Sequence, residues 1–113
     1  MDFDEKLCSS EAINALEEIK FGVKKVVLSE KFQIAKSTAH INVTTLENVD
    51  FCVQITAEGF RIVSYKYDES FSEECESEQY YETIHCLMSA KSELYRERFS
   101  DELVKRLKQH IDY

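Results

Sequence analysis

Three side chains of the types that bind zinc lie near one another in the sequence: Cys75, His85 and Cys86. A structural zinc site needs four ligands in closely spaced pairs. Neighbouring residues such as His85 and Cys86 point about 100° apart on a helix. Cys86 with a histidine would also suit nucleophilic catalysis, but nothing in the sequence marks an orienting acid or an oxyanion site. We therefore predict neither a metal site nor a catalytic site, and the chain is expected not to be an enzyme.

Residues 68–79 form an acidic segment with six carboxylates: Asp68, Glu69, Glu73, Glu74, Glu76 and Glu78. Clustered carboxylates can hold calcium, but calcium loops space their oxygen ligands around an obligatory glycine. The two glycines of the chain, Gly22 and Gly59, lie outside this segment. The pattern predicts a solvated, mobile loop that binds no cofactor. Whether it is modified stays open.

The net charge of −8 and the isoelectric point near 4.9 disfavour binding to nucleic acid and to anionic membranes, because both repel an acidic protein. The acidic first residues do not resemble a signal peptide, and no apolar stretch approaches the ~18 residues of a membrane span. The four cysteines form no disulfide framework, which favours a reducing compartment. We expect a cytoplasmic protein, with a nuclear pool left open.

The length fits a flexible tail of residues 1–9 followed by a single domain of residues 10–113. Near its start, apolar residues recur in alternating steps of four and three: Ala12, Leu16, Ile19, Val23 and Val26. Such spacing places them on one face of a helix, which we predict over residues 10–28.

The middle of the chain changes to an alternation of apolar and polar residues, which predicts strands at residues 39–44, 50–56 and 60–67. An antiparallel meander of three strands, with a fourth left open, is the simplest arrangement. Two helices follow, so the fold class is α+β. The expected buried residues are Phe51, Val53, Ile55, Ile62 and Leu16.

The first of these C-terminal helices presents Ile84, Leu87 and Met88 on one face, and Ser92 is placed to cap the second. Along that second helix large apolar residues recur at every fourth position: Tyr95, Phe99, Leu103 and Leu107. This row either packs on the sheet or provides exposed anchors for the groove of a partner protein. The residues alone do not decide between the two.

Three blocks resemble the glycogen synthase kinase-3 interaction proteins: residues 39–45, residues 51–65, and residues 81–84 followed by 95–99 and 103–107. The resemblance extends over about residues 11–110. It implies an α+β domain without enzymatic activity that acts as an adaptor in Wnt signalling. Such an adaptor inhibits or scaffolds glycogen synthase kinase-3.

The resemblance also implies the residues that bind the kinase. Phe99, Leu103 and Leu107 match apolar anchors that dock in a groove of the kinase, and Val104 matches a further apolar position. Arg106 matches the basic residue between the last two anchors. The pattern Phe-x-x-x-Leu-x-x-Arg-Leu is also similar to the kinase-binding helix of axin.

A second partner is implied by the first helix, because some family members anchor the regulatory subunit of cAMP-dependent protein kinase through it. The corresponding face here contains Leu16, Ile19 and Val23. Lys20 stands where those members have an apolar residue, and desolvating a lysine is costly. We therefore expect weak or absent binding of this second partner.

Overall fold

The computed structural model describes the backbone of residues 2–29, 38–69 and 79–111, and the side chains of residues 10–29, 38–69 and 79–108. Its elements, in chain order, are α1 (Asp2–Ile19), a 3₁₀ turn (Lys20–Gly22), β1 (Val23–Leu28), β2 (Ala39–Thr45), β3 (Asp50–Thr56), β4 (Gly59–Ser64), α2 (Ile84–Lys91) and α3 (Glu93–Ile111). The predicted α+β class, with a helix, an antiparallel meander and two C-terminal helices, is confirmed.

The sheet has four antiparallel strands in the order β1-β2-β3-β4, so each strand pairs with its neighbour in the chain. The turn between β3 and β4 is tight, and Gly59 adopts a φ of 129° there, a conformation that L side chains rarely adopt. Strands β2, β3 and β4 correspond to the three predicted strands.

The fourth strand comes from a segment predicted as helix. The helix expected over residues 10–28 ends at Ile19, its backbone begins at Asp2, and Val23–Leu28 pairs with β2 instead. Gly22 is a poor residue for a helix interior, and the valine-rich sequence beyond it suits a strand. The predicted division into a tail of residues 1–9 and a domain of residues 10–113 stays a prediction.

The core lies between one face of the sheet and the helices. The inward face contributes Ile41 and Val43 from β2, Phe51, Val53 and Ile55 from β3, and Ile62 from β4; the helices contribute Ala12, Ala15, Ile19, Ile84, Leu87, Met88 and Tyr95. Full burial of each large apolar side chain stabilises the fold by about 1.5–3 kcal/mol. The predicted burial of Phe51, Val53, Ile55 and Ile62 is confirmed, whereas Leu16 is only half-buried.

The opposite face of the sheet carries buried polar groups that hold the start of the acidic segment. Asp68 Oδ1 accepts hydrogen bonds from Ser29 Oγ at 2.6 Å and from Asn42 Nδ2 at 2.8 Å. The Asp68 amide donates to Asn42 Oδ1 at 3.0 Å. Asp68 is therefore held against the sheet by hydrogen bonds and does not lie in a solvated loop. Residues 70–78, the greater part of the predicted mobile loop, lie outside the described residues.

Candidate partner-docking site

The N-terminus of α3 is fixed by a cap that Ser92 and Glu47 share. Ser92 Oγ accepts a hydrogen bond from the Tyr95 amide at 3.0 Å, which makes Ser92 the N-cap as predicted. Glu47, from the turn between β2 and β3, accepts from Ser92 Oγ at 2.7 Å and from the Leu94 amide at 2.9 Å. Partial burial raises the pKa of Glu47, but the hydrogen bonds from Leu94 and Ser92 outweigh it and hold the pKa below its usual value.

Four aromatic rings, which we call the aromatic base, hold the first two turns of α3 against the domain: Phe21, His85, Tyr95 and Phe99. The centroids of Phe21 and Tyr95 are 5.5 Å apart, and those of His85 and Phe99 are 5.0 Å apart. Tyr95 is fully buried, and its hydroxyl is hydrogen-bonded to His85 Nδ1. Burial and the charge of Glu18 raise the pKa of the Tyr95 hydroxyl, so the phenol stays neutral.

The 3₁₀ turn permits this close packing because Gly22 has no side chain. A Cβ atom at position 22 would lie 2.6 Å from Cδ2 of Tyr95, well inside van der Waals contact. Glu18 also contacts His85, because its Oε2 atom lies 3.1 Å from Nε2 of the imidazole. The base therefore joins α1, the 3₁₀ turn, α2 and α3 in one cluster.

Beyond the aromatic base, α3 presents an exposed stripe of three apolar side chains: Leu103, Val104 and Leu107. They are 49%, 51% and 53% exposed. Their spacing places them within an arc of about 100° around the helix. An apolar strip of this kind on a protein surface is typical of an interaction site. Phe99 differs from them, because it is half-buried in the base and meets the stripe only at its inner end.

A cleft of about 280 Å³ borders the stripe where α3 leaves the domain. Phe21, Phe99 and Leu103 supply its apolar lining, and Glu17, Glu18, Lys20, His85, Glu102 and Arg106 supply charged and polar groups. Arg106 is exposed, with its Nη2 atom 3.7 Å from Glu102 Oε2. Of the five residues predicted to bind the kinase, four are thus exposed together on the outer half of α3, and the fifth, Phe99, anchors that helix.

The second predicted face does not form. Ile19 and Val23 are buried in the core, and Val23 belongs to β1 rather than to α1. Leu16 is half-buried. Lys20 lies in the 3₁₀ turn, where its Nζ atom is 2.6 Å from Glu17 Oε2. These positions provide no continuous exposed apolar face.

The residues considered for metal binding form no ligand cluster within the part of the chain that the structure describes. His85 contacts Tyr95 and Glu18, Cys86 is exposed, and Cys75 lies outside the described residues. In the segments that the structure describes, no three His, Cys, Asp or Glu side chains are close enough to hold a metal ion. Among the described helices, none has the length and apolar character that crossing a bilayer requires.

The sequence of this chain matches a family model of known proteins. The model of the GSKIP domain matches residues 8–110. The chain is 33% identical over 109 residues to the GSK3-beta interaction protein of Gallus gallus, which covers 94% of this chain and 77% of that protein. It is 33% identical over 104 residues to the GSK3B-interacting protein of Mus musculus, covering 92% and 73% respectively. A GSKIP homologue of Drosophila melanogaster is 36% identical over 74 residues, 66% of this chain and 62% of that protein. The matched region includes the sheet, the aromatic base and the exposed stripe.

Proposed function

Because this chain belongs to the GSKIP domain family, we propose that it is a non-enzymatic adaptor that binds glycogen synthase kinase-3 through α3. The names of its relatives describe proteins that interact with GSK3-beta. The observation that carries the proposal is the exposed stripe, whose three side chains are each about half exposed on a helix that is fixed at its base.

The stripe suits a partner with an apolar groove. A docked helix concentrates its binding energy in a few central anchors that become fully desolvated. Leu103 and Leu107 lie one helical turn apart, and Val104 fills the space beside them. Because the cap and the aromatic base already hold α3, the kinase would not need to order a disordered peptide, which lowers the entropic cost of binding.

The charged residues beside the stripe provide orientation. Arg106 is 71% exposed at its side chain and lies 100° around the helix from Leu107. In the proposed complex it reaches a polar group on the rim of the groove, and Glu102 keeps its guanidinium extended along α3. The domain then inhibits or redirects the kinase, in the cytoplasm and within Wnt signalling, by occupying a groove that axin-like helices also use.

The test is the affinity of the Leu107→Ala variant for the kinase, measured by titration calorimetry. Truncating one central anchor costs about 2 kcal/mol of binding free energy, which corresponds to a roughly 30-fold larger dissociation constant. Alanine keeps the helix intact, because it has the highest helix propensity. The matched control is Lys108→Ala, about 100° around the helix from Leu107, which should bind like the wild type.

A second variant tests the helix itself. Leu107→Pro removes an amide, clashes with the carbonyl of Leu103 and costs about 3 kcal/mol of helix stability, so it should weaken binding more than Leu107→Ala. If both Leu107 variants are folded and bind with wild-type affinity, α3 is not the docking element.

A further inference from the structure

The exposed half of α3 has an ordered arrangement of charge around the apolar stripe. Within residues 101–108 the acidic side chains, Asp101 and Glu102, precede the centre of the stripe, and the basic side chains, Lys105, Arg106 and Lys108, follow it. A helix with this order is complementary to a copy of itself that runs in the opposite direction, since each acidic end then meets a basic end. A parallel copy would bring like charges together.

One pair of residues defines how two such helices would align. Asp101 and Lys108 are seven positions apart, so they lie within about 20° of each other on one edge of the stripe. The midpoint between them falls between Val104 and Lys105, at the centre of the stripe. A two-fold axis through that point, perpendicular to the helix, places Asp101 opposite Lys108 of the other copy. It also places Leu103 near Leu107 of the other copy.

Both charged side chains are available for this contact. Asp101 and Lys108 are exposed, and neither has an ion-pair partner among the side chains that the structure describes. Arg96, which lies on the apolar side of the helix and would disturb the pairing, is turned away, because its Nη1 atom donates to the Ser89 carbonyl of α2.

We propose that two copies of this chain associate through their α3 helices, antiparallel and stripe against stripe. The interface is isologous, because the same residues face each other across a two-fold axis. Three half-exposed side chains per copy bury much less than the ~1,200 Å² of a stable interface. The pair is therefore weak and transient.

Self-association would regulate the site described above. The pair covers Leu103, Val104 and Leu107, so a chain in the pair cannot present them to another protein. This regulatory consequence rests on the proposed kinase docking, whereas the pairing itself does not. A partner that binds the stripe more tightly than a second copy does releases the pair.

The experiment uses charge reversal in the full chain and sedimentation equilibrium over a range of concentrations up to millimolar. In Asp101→Lys, position 101 and Lys108 of the other copy are both positive. In Lys108→Asp, both are negative. Each variant alone should associate about 10-fold more weakly than the wild type, because two repulsive contacts replace two attractive ones.

The equimolar mixture of the two variants provides the decisive control. In a mixed pair, both contacts again join opposite charges, so association should return to the wild-type level. A change in the stability of either helix alone would not produce this recovery. Circular dichroism confirms that each variant is folded before the sedimentation run.

Three results would overturn the inference: a wild type that stays monomeric throughout, single variants that pair as well as the wild type, or a mixture that pairs no better than its components. The kinase titration is read separately. If the chain pairs but does not bind the kinase, the proposed function is wrong and the self-association stands. If it binds the kinase but does not pair, the self-association is wrong and the proposed function stands.

Discussion

Tyr95 occupies the point at which the outer helix joins the domain. Its ring packs between Gly22 and Phe99, and its hydroxyl is bonded to His85. A phenylalanine would fill the same volume but leave Nδ1 of the partly exposed imidazole without this partner, which costs the net free energy of one hydrogen bond. The choice of tyrosine thus couples the orientation of α3 to a side chain of α2.

Cys52 and Cys86 should differ in reactivity, and alkylation tests this. Burial raises the pKa of Cys52 to about 11, so its thiol stays protonated at pH 8 to 9, where unperturbed thiols ionise. Because the thiolate is the reactive form, iodoacetamide should modify the exposed Cys86 and leave Cys52 unmodified. Peptide mass spectrometry identifies the sites. Both should be labelled in denaturant, and labelling of Cys52 in the native protein would show that the sheet face opposite the helices is open.

At the scale of the elements, Gly22→Ala tests the packing of the 3₁₀ turn against α3. A Cβ atom there would lie 2.6 Å from the Tyr95 ring, so the ring must move. We expect a loss of about 1–3 kcal/mol in the free energy of unfolding, measured by urea denaturation.

The double variant with Tyr95→Leu serves as the control, because leucine removes the ring atoms that clash. The double variant should then lose less unfolding free energy than the sum of the losses of the two single variants. A strictly additive result would mean that Gly22 acts through its backbone conformation and not through Tyr95.

A prediction about α1 follows from the burial of Ile19 and Val23. The apolar surface that α1 offers among its described side chains is confined to Ile13 and part of Leu16. We expect weak or no binding of the regulatory subunit of cAMP-dependent protein kinase, measured by fluorescence titration. Tight binding that Ile13→Asp abolishes would contradict this expectation, and Lys108→Ala, an exposed position in α3, is the control.

The type of most elements was predictable from the sequence, because the apolar residues of each element follow either the helical or the strand period along its whole length. The exception, β1, has a local cause. Val23 pairs with Thr45 while Lys25 pairs with Thr44, so the register shifts at Lys24. This bulge brings Val23 and Val26 to the same face although they are three positions apart. The spacing therefore imitates a helix, and only pairing with the distant β2 reveals the strand.

The docking residues were predictable in part for a similar reason. The four-residue row in α3 identifies Tyr95, Phe99, Leu103 and Leu107 as one pattern, but the first two are covered by the domain and the last two are not. That division depends on Phe21 and His85, which belong to other elements. No local property of α3 indicates where the covering ends. Glu47 was missed because its role exists only through contacts with residues 45 and 47 positions away.

At the scale of the whole molecule, Glu47 connects the sheet to α3, and its protonation should weaken that connection. Its carboxylate lies at the positive end of the helix dipole, where an exposed charge contributes about 0.5 kcal/mol. Glu47→Gln should lower the free energy of unfolding by this amount at pH 7. Urea denaturation provides the measurement, and Glu58→Gln in the exposed turn between β3 and β4 is the control.

The pH dependence has a definite sign. Because the pKa of Glu47 is lowered in the folded chain, its stabilisation is fully present above the unfolded-state value of about 4.3. It is lost as the pH falls through the lower folded-state value. The wild type and Glu47→Gln should therefore converge in stability once the pH is below the folded-state pKa. A difference that persists there would assign the effect to the shape of the side chain and not to its charge.

The attachment of α3 by its first two turns has a consequence for its motion. The amide of Tyr95 is bonded to Ser92 beneath a buried ring, so its hydrogen exchanges with solvent only when the domain unfolds. Amides near Leu107 have exposed side chains around them and exchange through fraying of the helix end. The protection of amides against hydrogen exchange therefore declines along α3. Amides near Tyr95 exchange only through global unfolding, and amides near Leu107 exchange through local opening of the helix. A partner that covers the stripe moves this boundary outwards, and the exchange rates of a few consecutive amides record how much of α3 it holds.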